Sequence, residues 1–350
     1  MKALVKVAAG PGHVAIQDVP VRDPGPDDLL IRVKYCGICG TDLHIHADEF
    51  PNDPPVIMGH EFCGTVVQVG AGVRGEWRVG ERVVGELHTG SCGTCALCLA
   101  GKPHICDRKL ALGSRHDGAF AEYLTLPAWL AHRVPDGLPW EVAGVTEPFA
   151  ISTHCLVERG ALDGAQSILI TGAATMGLMA VIWASRLGVR NIVVTGTDLD
   201  VPLRFVLAQQ LGASRVVNVQ REDLAPIVAD LTAGAGVDAW VECSGSQRAI
   251  AQGIELVKKT GKVVLIGLVG PETIPVPWNR LLYKELDLVG CFSSPPSSWK
   301  RALAVEAEEA DKLSRLATHI LPLEEWERGF AMMRTGEAVK ILIDMQREEA

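Results

Sequence analysis

Four cysteines are crowded into residues 91–106, SCGTCALCLAGKPHIC, at Cys92, Cys95, Cys98 and Cys106. Thiolates separated by two residues can point at a single ion, and four of them form a closed tetrahedral zinc site with no position for substrate. Disulfides are rare in the reducing cytoplasm, where we expect this protein. An iron–sulfur cluster is the alternative four-cysteine site. We predict a structural zinc that holds this loop in shape and performs no chemistry itself.

A second group of metal-ligand residue types is spread over the motifs YCGICGTDLHIHADEF, VIMGHEFCGTVVQVG and TEPFA. We interpret Cys39, His60 and Glu61, with Glu147, as a second zinc site, because sulfur, imidazole and carboxylate form the mixed ligand set of a catalytic zinc. Neighbours on a regular strand point to opposite faces, so His60 and Glu61 can share a metal only where the backbone is irregular. Gly59 permits such a bend. Glu61 is then a direct ligand, or a nearby group while Glu147 or water completes the site.

Length and composition limit the class of protein that can carry these sites. The chain has 350 residues, of which 48% are hydrophobic, enough for two domains of about 100–200 residues each. Its net charge of −9, without a basic stripe, argues against a nucleic-acid partner. No apolar run reaches the roughly 18 residues of a membrane span, and the N-terminus lacks the apolar core of a signal peptide. We therefore expect a soluble, cytoplasmic protein.

From residue 167 the sequence alternates between strand-like and helix-like segments. SILITG, NIVVTGT, SRVVNV, DAWVECSG, GKVVLIG and LDLVGCFS are typical of strands, and VPLRFVLAQQLG and RAIAQGIELVKKTG of helices. This alternation predicts an α/β fold with a doubly wound parallel sheet. The turn GAATMG after the first strand lies where a dinucleotide pyrophosphate meets a helix N-terminus, although Ala174 replaces the middle glycine of G-x-G-x-x-G.

The end of the second predicted strand bears on the choice of coenzyme. An acid at this place binds the adenosine ribose in dinucleotide-binding folds, but Gly196 occupies the expected position. Asp198 or Asp200 is close enough in sequence to reach back. Two carboxylates would repel the 2′-phosphate of NADP, and Arg204 is the only cation nearby in sequence. We predict NAD, with NADP as the alternative, while Asp200 is equally suited to capping the next helix.

Several of these motifs together resemble one family. GICGTDLH, GHEFCGTVVQVG, GSCGTCALCLAGKPHIC, DGAFAEY, EPFA and the strand–turn–helix are similar to the zinc-dependent medium-chain alcohol dehydrogenases, particularly the polyol (sorbitol-like) and L-threonine dehydrogenase branches. The resemblance covers nearly the whole chain. It implies a GroES-like, mainly β catalytic domain at residues 1–150, a Rossmann coenzyme domain at 151–290 and a return to the catalytic domain at 291–350, with the active site in the cleft between them.

The resemblance also implies roles for individual residues. Thr41 is similar to the hydroxyl that takes the substrate's proton, His44 to the end of the relay to solvent, and Asp42 to the acid that orients the zinc-bound histidine. Cys39, His60, Glu61 and Glu147 would hold a catalytic zinc, and the four-thiol loop a structural one, which makes two zinc ions per chain. The predicted coenzyme-binding positions are Gly172, Ala174, Met176, Gly177, Asp198, Arg204, Ile266, Gly267 and Leu268.

The reaction that the resemblance implies is the NAD(P)-linked oxidation of a secondary alcohol, a polyol or sugar alcohol, to a ketone by hydride transfer. L-Threonine 3-dehydrogenase is the alternative, because His88 in GELHTGSC resembles the loop of that branch. A zinc-free reductase and a non-enzymatic NAD-binding protein of the same fold are rivals of another class, and the intact metal-ligand set argues against the first. Relatives imply a homotetramer, or a dimer, with sheets joined edge to edge near residues 265–293.

Overall fold

The computed structural model describes residues 1–270 and 273–346. Contacts within the chain divide it into two compact units. The first is Met1–Ala150 together with the chain from Ser294 onward, and the second is Ile151–Ser293. Among the described residues, none of the helices combines the length and the apolar character that crossing a bilayer requires.

The strands of the described residues are β1 Lys2–Lys6, β2 Val14–Asp18, β3 Asp28–Gly37, β4 Val56–Ile57, β5 Glu61–Val69, β6 Arg82–Gly85, β7 His88–Thr89, β8 Leu110–Ala111, β9 Tyr123–Pro127, β10 Ala131–Arg133, β11 Ser167–Thr171, β12 Asn191–Gly196, β13 Arg215–Asn218, β14 Val237–Glu242, β15 Val257–Leu265, β16 Asp287–Gly290, β17 Ala317–Pro322 and β18 Lys340–Asp344. The helices are α1 Gly40–His46, α2 Ala96–Leu99, α3 Trp140–Ala143, α4 Thr146–Thr153, α5 Thr175–Arg186, α6 Arg204–Leu211, α7 Leu224–Leu231, α8 Gln247–Leu256, α9 Trp278–Tyr283, α10 Pro296–Glu306, α11 Ala310–Ser314 and α12 Trp326–Thr335. A π-helical segment, His154–Arg159, continues directly from α4.

The first unit is built around a mainly antiparallel sheet in the order β10-β6-β5-β3-β18-β17, with β9 also paired to β3. Apolar residues of β3 and β5, such as Ile31, Val33 and Phe62, are buried in its core with Phe120 and Phe330. The last strand, β18, comes from the C-terminal segment and pairs antiparallel with β3. The C-terminal segment is therefore integral to the sheet that carries the N-terminal motifs.

The second unit contains a six-stranded sheet in the order β13-β12-β11-β14-β15-β16, in which every pairing is parallel. All five residues of β11 are buried, as expected for a central strand covered on both faces. Trp240 of β14 is fully buried, and its indole N–H donates to Thr171 Oγ1 at 3.0 Å. This is the strand order of the Rossmann fold, so the predicted α/β doubly wound sheet is confirmed.

Two predicted helices have different bounds in the structure. VPLRFVLAQQLG begins its helix only at Arg204, because a 3-10 turn at Asp198–Asp200 precedes it and Pro202 offers no N–H for a helical bond. RAIAQGIELVKKTG ends its helix at Leu256, and Val257 already pairs with β14. Val257 is β-branched and therefore favours a strand over a helix, and its pairing with Val237 precedes a register shift between β14 and β15.

Candidate active site

The first predicted metal ligand lies at the N-terminus of α1. Cys39 immediately precedes the helix, and its backbone N–H donates to Asp42 Oδ2 at 2.8 Å. The carboxylate thus satisfies an amide that has no partner within the helix. Thr41 Oγ1 lies 3.7 Å from the Cys39 sulfur, which brings the predicted proton acceptor next to the predicted ligand. His44 is exposed on the same helix, with Nδ1 2.8 Å from Glu49 Oε2.

A left-handed glycine bends the chain just before the second motif. Gly59 has φ 87°, and a Cβ at this position would lie 2.7 Å from the backbone nitrogen of Phe120. Strand β5 begins only at Glu61, so His60 belongs to the irregular segment before it. The backbone irregularity that a shared metal requires at this pair is therefore present.

The donor atoms of Cys39, His60 and Glu61 all lie within 4.8 Å of one another. Behind them, His60 Nδ1 is 3.6 Å from Asp42 Oδ1, a buried oxygen with no hydrogen-bond partner among the described residues. Burial by itself lowers the pKa of His60, but Asp42 and Cys39 outweigh it, and the pKa is raised well above its ordinary value. The imidazole therefore holds a proton that a bound metal ion would displace.

Glu61 is also part of a buried ion pair. Lys340 Nζ, from β18, lies 2.5 Å from Glu61 Oε2, and both side chains are only 1% exposed. The same ammonium group donates to the backbone carbonyl of Ile38 at 2.9 Å. Burial lowers the pKa of Lys340, but the charge of Glu61 acts against burial and the pKa is raised overall. One carboxylate thus connects the C-terminal strand to the group of metal-ligand residues.

Glu147 of α4 is buried close enough to this group to respond to the charges of Glu61 and His60. Burial, and then repulsion by Glu61, raise its pKa to about 8, while the charges of His60, Lys340 and Lys109 act in the opposite direction. Within the described part of the chain, its carboxylate is not one of the mutually close donors formed by the first three residues. Glu147 is therefore a neighbour of the candidate site, largely protonated near neutral pH.

The donor set fits a zinc ion. A thiol, an imidazole and a carboxylate are the ligand types that zinc selects. The unpartnered Asp42 oxygen is the acceptor that the second ring nitrogen of a metal-bound histidine uses, which fixes the tautomer and orientation of the ring. Three protein ligands would leave the fourth tetrahedral position to Glu147, water or substrate.

The four-thiol loop brings its sulfurs together in the same way. The Sγ atoms of Cys92, Cys95, Cys98 and Cys106 lie within 4.8 Å of one another. Backbone N–H groups donate to these sulfurs, for example from Cys95 to Cys92 at 3.3 Å. Such bonds from Thr94 and Cys95 lower the pKa of Cys92 to about 5, whereas burial raises that of Cys98 to about 12. A cation among the four sulfurs would favour the thiolate form of all of them.

The predicted pyrophosphate turn follows β11 in the second unit. Gly172 has φ 94°, and a Cβ on Gly177 would lie only 1.9 Å from the Gly172 carbonyl oxygen. The helix can therefore approach the strand this closely only because residue 177 is a glycine, while Gly172 permits the left-handed turn. Ala174 is the N-cap of the 12-residue helix α5, and Met176 lies in its first turn. The first N–H groups of a helix have no carbonyl partner within the helix, and those of α5 lie beyond the carboxyl end of β11.

Both aspartates at the end of β12 are engaged with arginines. Asp198 accepts two hydrogen bonds from Arg221, at 2.7 and 3.0 Å. Asp200 accepts one from Arg204 at 3.0 Å and also caps the turn that follows the strand. Gly196, the last residue of β12, provides no side chain where a ribose-binding acid is expected. The carboxylates nearest to that position are thus already neutralised.

The third predicted coenzyme segment, Ile266 to Leu268, directly follows β15. The backbone N–H groups of Ile266 and Gly267 each donate at 2.9 Å to the carbonyl of Glu242, the last residue of β14. The Glu242 side chain is 1% exposed and accepts from the Ser244 N–H at 2.8 Å. Glu242 therefore holds together the two loops that follow neighbouring strands at the carboxyl edge of the sheet.

Three residues near these sites were not identified from the sequence. Lys340 is separated from Glu61 by 279 residues, and no local pattern indicates the pair. Lys109 follows the thiol loop, and the residues around it do not distinguish it from a solvent-exposed lysine. Glu242 did leave a signal, because an acid that ends the apolar run DAWVE falls at the carboxyl end of a buried strand.

Comparison with known protein families gives two matches. Residues 25–136 match the alcohol dehydrogenase GroES-like domain, and residues 175–308 match the zinc-binding dehydrogenase domain. The first match covers the candidate metal ligands up to His60 and Glu61 together with the four-thiol loop. The second begins at the N-terminus of α5.

Individual relatives match this chain over nearly its full length. The chain is 35% identical to a sorbitol dehydrogenase from Halalkalibacterium halodurans, over 98% of this chain and 99% of that protein. It is 37% identical to an L-threonine 3-dehydrogenase from Anaeromyxobacter dehalogenans, over 98% of this chain and 99% of that protein. A solved structure from Sinorhizobium meliloti 1021, described as a zinc-binding dehydrogenase bound to NADP, matches with TM-score 0.89 and 31% identity over 98% of both chains. The chain belongs to the zinc-dependent medium-chain alcohol dehydrogenase family and is an oxidoreductase of its zinc-binding dehydrogenase type.

Proposed function

We propose that this protein oxidises a secondary alcohol, most favourably a polyol or sugar alcohol, to a ketone and transfers the hydride to NAD. The observation that supports this proposal best is the convergence of Cys39, His60 and Glu61 within 4.8 Å, backed by the unpartnered oxygen of Asp42. Such a mixed ligand set keeps a position open for substrate. Zinc bound there would act as a Lewis acid that increases the acidity of the alcohol hydroxyl.

Four further residues are proposed to transfer the proton, orient His60 and neutralise Glu61. Thr41, beside the Cys39 sulfur, takes the hydroxyl proton while it releases its own into the relay, and exposed His44 on the same helix is the group from which a proton leaves to solvent. Asp42 orients the His60 ring through Nδ1. Lys340 neutralises Glu61, so that the carboxylate can approach or leave the metal position without a bare charge remaining in the core.

The four-thiol loop is proposed to hold a second, structural zinc. Its four sulfurs are all within reach of one ion, and a set of four thiolates leaves no position for substrate. Free thiols in this number also suit a reducing compartment, and we propose a cytoplasmic location on that ground.

NAD is proposed as the coenzyme on the charges at the end of β12. Arg221 and Arg204 are the cations close to this strand end, and each is engaged with an aspartate, Asp198 and Asp200. A 2′-phosphate would have to displace these carboxylates, whereas the two hydroxyls of an NAD ribose need no free cation. NADP remains the alternative coenzyme, because the Sinorhizobium meliloti relative binds it.

A second candidate substrate is L-threonine, and Lys109 is the observation that favours it. Lys109 precedes β8, donates to the His104 carbonyl at 3.0 Å and is close enough to Glu147 to respond to its charge. His88, opposite Ala111 in the β7–β8 pair, lies on the same face of this ribbon. Burial lowers the pKa of His88 to about 3 and that of Lys109 to about 8. His88 Nε2 already lies 3.3 Å from the buried Glu86 Oε2, so Lys109 is the group that would bind a substrate carboxylate.

We propose a homotetramer whose dimer unit forms at the edge strand β16, with a simple dimer as the alternative. Large apolar side chains are exposed near this edge: Trp278 is 64% exposed, Tyr283 71%, Leu282 59% and Leu288 47%. Pairing of two such edges would cover both the free backbone groups and these side chains. Light scattering measures the assembly directly.

The function is tested by a substrate panel read at the absorbance of reduced nicotinamide. Zinc-replete protein is assayed with polyols, simple secondary alcohols and L-threonine, each with NAD and with NADP. We expect the highest kcat/KM for a polyol with NAD. Lys109→Met should raise the KM for L-threonine at least about tenfold, the loss of one charge contact of about 1.4 kcal/mol, and change the KM for simple alcohols much less. Protein that binds coenzyme but oxidises none of these alcohols would contradict the proposal.

A further inference from the structure

Helix α1, which carries Thr41 and His44, ends in a motif that brings a carboxylate back onto His44. Asp48, just after the helix, has φ 62°, the left-handed conformation in which many helices end. The N–H of Asp48 donates to the carbonyl of Ile45 at 3.1 Å, and the N–H of Glu49 donates to that of His44 at 2.8 Å. These two bonds are the pair that defines a Schellman motif. Glu49 is therefore held by its backbone against the turn that contains His44.

An aspartate in the left-handed conformation is uncommon, and three neighbours hold this one in place. The Asp48 carboxylate accepts a hydrogen bond from the N–H of Gly10 at 2.8 Å and one from the side-chain amide of Asn52 at 3.2 Å. The ammonium group of Lys6, a fully buried side chain at the end of β1, lies 3.8 Å from the same carboxylate. The loop after β1 is thus tied to the segment after α1, which fixes the direction in which Glu49 leaves the helix.

The side chain of Glu49 contacts the imidazole of His44. Glu49 Oε2 lies 2.8 Å from His44 Nδ1. An ionised carboxylate only accepts hydrogen bonds, so Nδ1 carries the hydrogen of this bond, and in the neutral ring Nε2 has the lone pair that accepts a further proton. The two side chains are 47% and 64% exposed, so water weakens the attraction between their charges. The contact therefore acts on the tautomer and orientation of the ring.

We propose that Glu49 is a positioning residue that fixes the His44 imidazole as the Nδ1–H tautomer and holds its direction on α1. A carboxylate that binds a histidine through Nδ1 leaves Nε2 ready to receive a proton, as in general-base histidines. The inference rests on the proposed function, in which a proton leaves to solvent from His44. The relayed proton arrives at Nε2, and the imidazolium then releases it to water while Nδ1–H stays bonded to Glu49.

The tautomer is tested by nitrogen-15 NMR of full-length, zinc-replete protein labelled at the histidine ring nitrogens. Spectra are recorded at about pH 9, where imidazoles are ordinarily neutral, and the resonances lost in His44→Asn identify the ring. We expect a protonated Nδ1 and a bare Nε2 for His44 in the wild type. Glu49→Gln, whose amide oxygen still accepts this bond, should keep that pattern. Glu49→Ala should shift the ring toward the Nε2–H form that free histidine prefers.

The consequence for turnover is measured as kcat and KM for the best alcohol of the substrate panel. Glu49→Ala should lower kcat about three- to tenfold, because His44 is retained without its orientation and acid–base catalysis as a whole contributes about 100- to 10,000-fold. The KM and the coenzyme dissociation constant should change much less. Glu49→Gln should recover most of the lost kcat, whereas a merely structural contact would affect the melting temperature and leave the tautomer unchanged.

The matched control is Glu76→Ala, which removes a carboxylate that is 90% exposed in the same unit and should leave the His44 resonances and kcat unchanged. A neutral His44 with its hydrogen on Nε2 in the wild type overturns the proposal. Identical His44 resonances in wild type and Glu49→Ala, or an identical measurable kcat, overturn it as well. Because the tautomer is detected without any substrate, a failure of the alcohol dehydrogenase assignment would not be mistaken for a failure of this contact.

Discussion

Replacing Glu306 by glutamine should stabilise the protein at alkaline pH. Glu306 ends helix α10 and is fully buried, with one hydrogen bond, from Thr146 Oγ1 to Oε2 at 3.2 Å. Its second carboxylate oxygen has no partner among the described residues. Burial raises the pKa of Glu306 from 4.5 to about 8, although the bond from Thr146 opposes this. Ionising this side chain therefore costs the folded state free energy.

The size and sign of the effect follow from linkage. Each tenfold change in proton affinity corresponds to about 1.36 kcal/mol, so a pKa raised to about 8 means a penalty of about 4–5 kcal/mol once the folded carboxyl is ionised. The unfolded chain releases this proton near pH 4.5, while the folded chain retains it to about pH 8. Glu306 therefore reduces the free energy of unfolding progressively between these pH values, and not further above them. Glutamine keeps the shape and removes the charge.

The assay is urea unfolding of zinc-replete protein at about pH 5.5 and about pH 8.5. Between pH 5.5 and pH 8.5, the free energy of unfolding of the wild type should fall by about 3–4 kcal/mol more than that of Glu306→Gln, by the linkage above. Glu308→Gln, which removes an exposed carboxylate two residues away, is the matched control and should follow wild type. Parallel pH dependence in wild type and Glu306→Gln would refute the reasoning, since it would mean that Glu306 is not buried as an acid.

Three further substitutions test other parts of the structure. Lys340→Met leaves Glu61 buried without its cation, so we expect a loss of about 3–5 kcal/mol in the free energy of unfolding measured in urea; a loss below 1 kcal/mol would contradict the buried pair. Cys98→Ser should remove one zinc per chain and lower the melting temperature, because metal binding there contributes folding energy, and an unchanged melting curve would argue against a structural site. Gly177→Val forces α5 away from β11 and should raise the coenzyme dissociation constant at least about tenfold, or 1.4 kcal/mol, by fluorescence titration; unaltered binding would show that the close approach is unimportant.

The coenzyme-type sheet could be predicted from the sequence because its signals are local. Central strands such as SILIT are buried throughout around an apolar core, and the glycines at 172 and 177 mark the turn and the close helix approach. The order of the six strands then follows from the few topologies that a parallel sheet allows. Helix bounds were less accurate, since tertiary pairing at Val257 and the capped turn before Arg204 act against helical propensity.

The metal-ligand residues could be recognised by type and spacing, but their surroundings could not. Cys39, His60 and Glu61 carry chemistry in their side chains, and each belongs to a distinctive motif, Cys39 to GICGTDLH and the other two to GHEFCGTVVQVG. Lys340 does not, because its effect on Glu61, 279 residues away, depends on the pairing of β18 with β3. Long-range pairing of ordinary residues leaves no periodic pattern to detect.

The most direct test of the central claim is the zinc content of purified wild type and Cys39→Ser, measured together with alcohol oxidation. The mixed donor set and the four-thiol loop predict two zinc ions per wild-type chain, and one in Cys39→Ser, with coenzyme binding retained and turnover abolished. Wild type with a single zinc, or Cys39→Ser that keeps near-normal turnover, would contradict an open zinc site built on Cys39, His60 and Glu61.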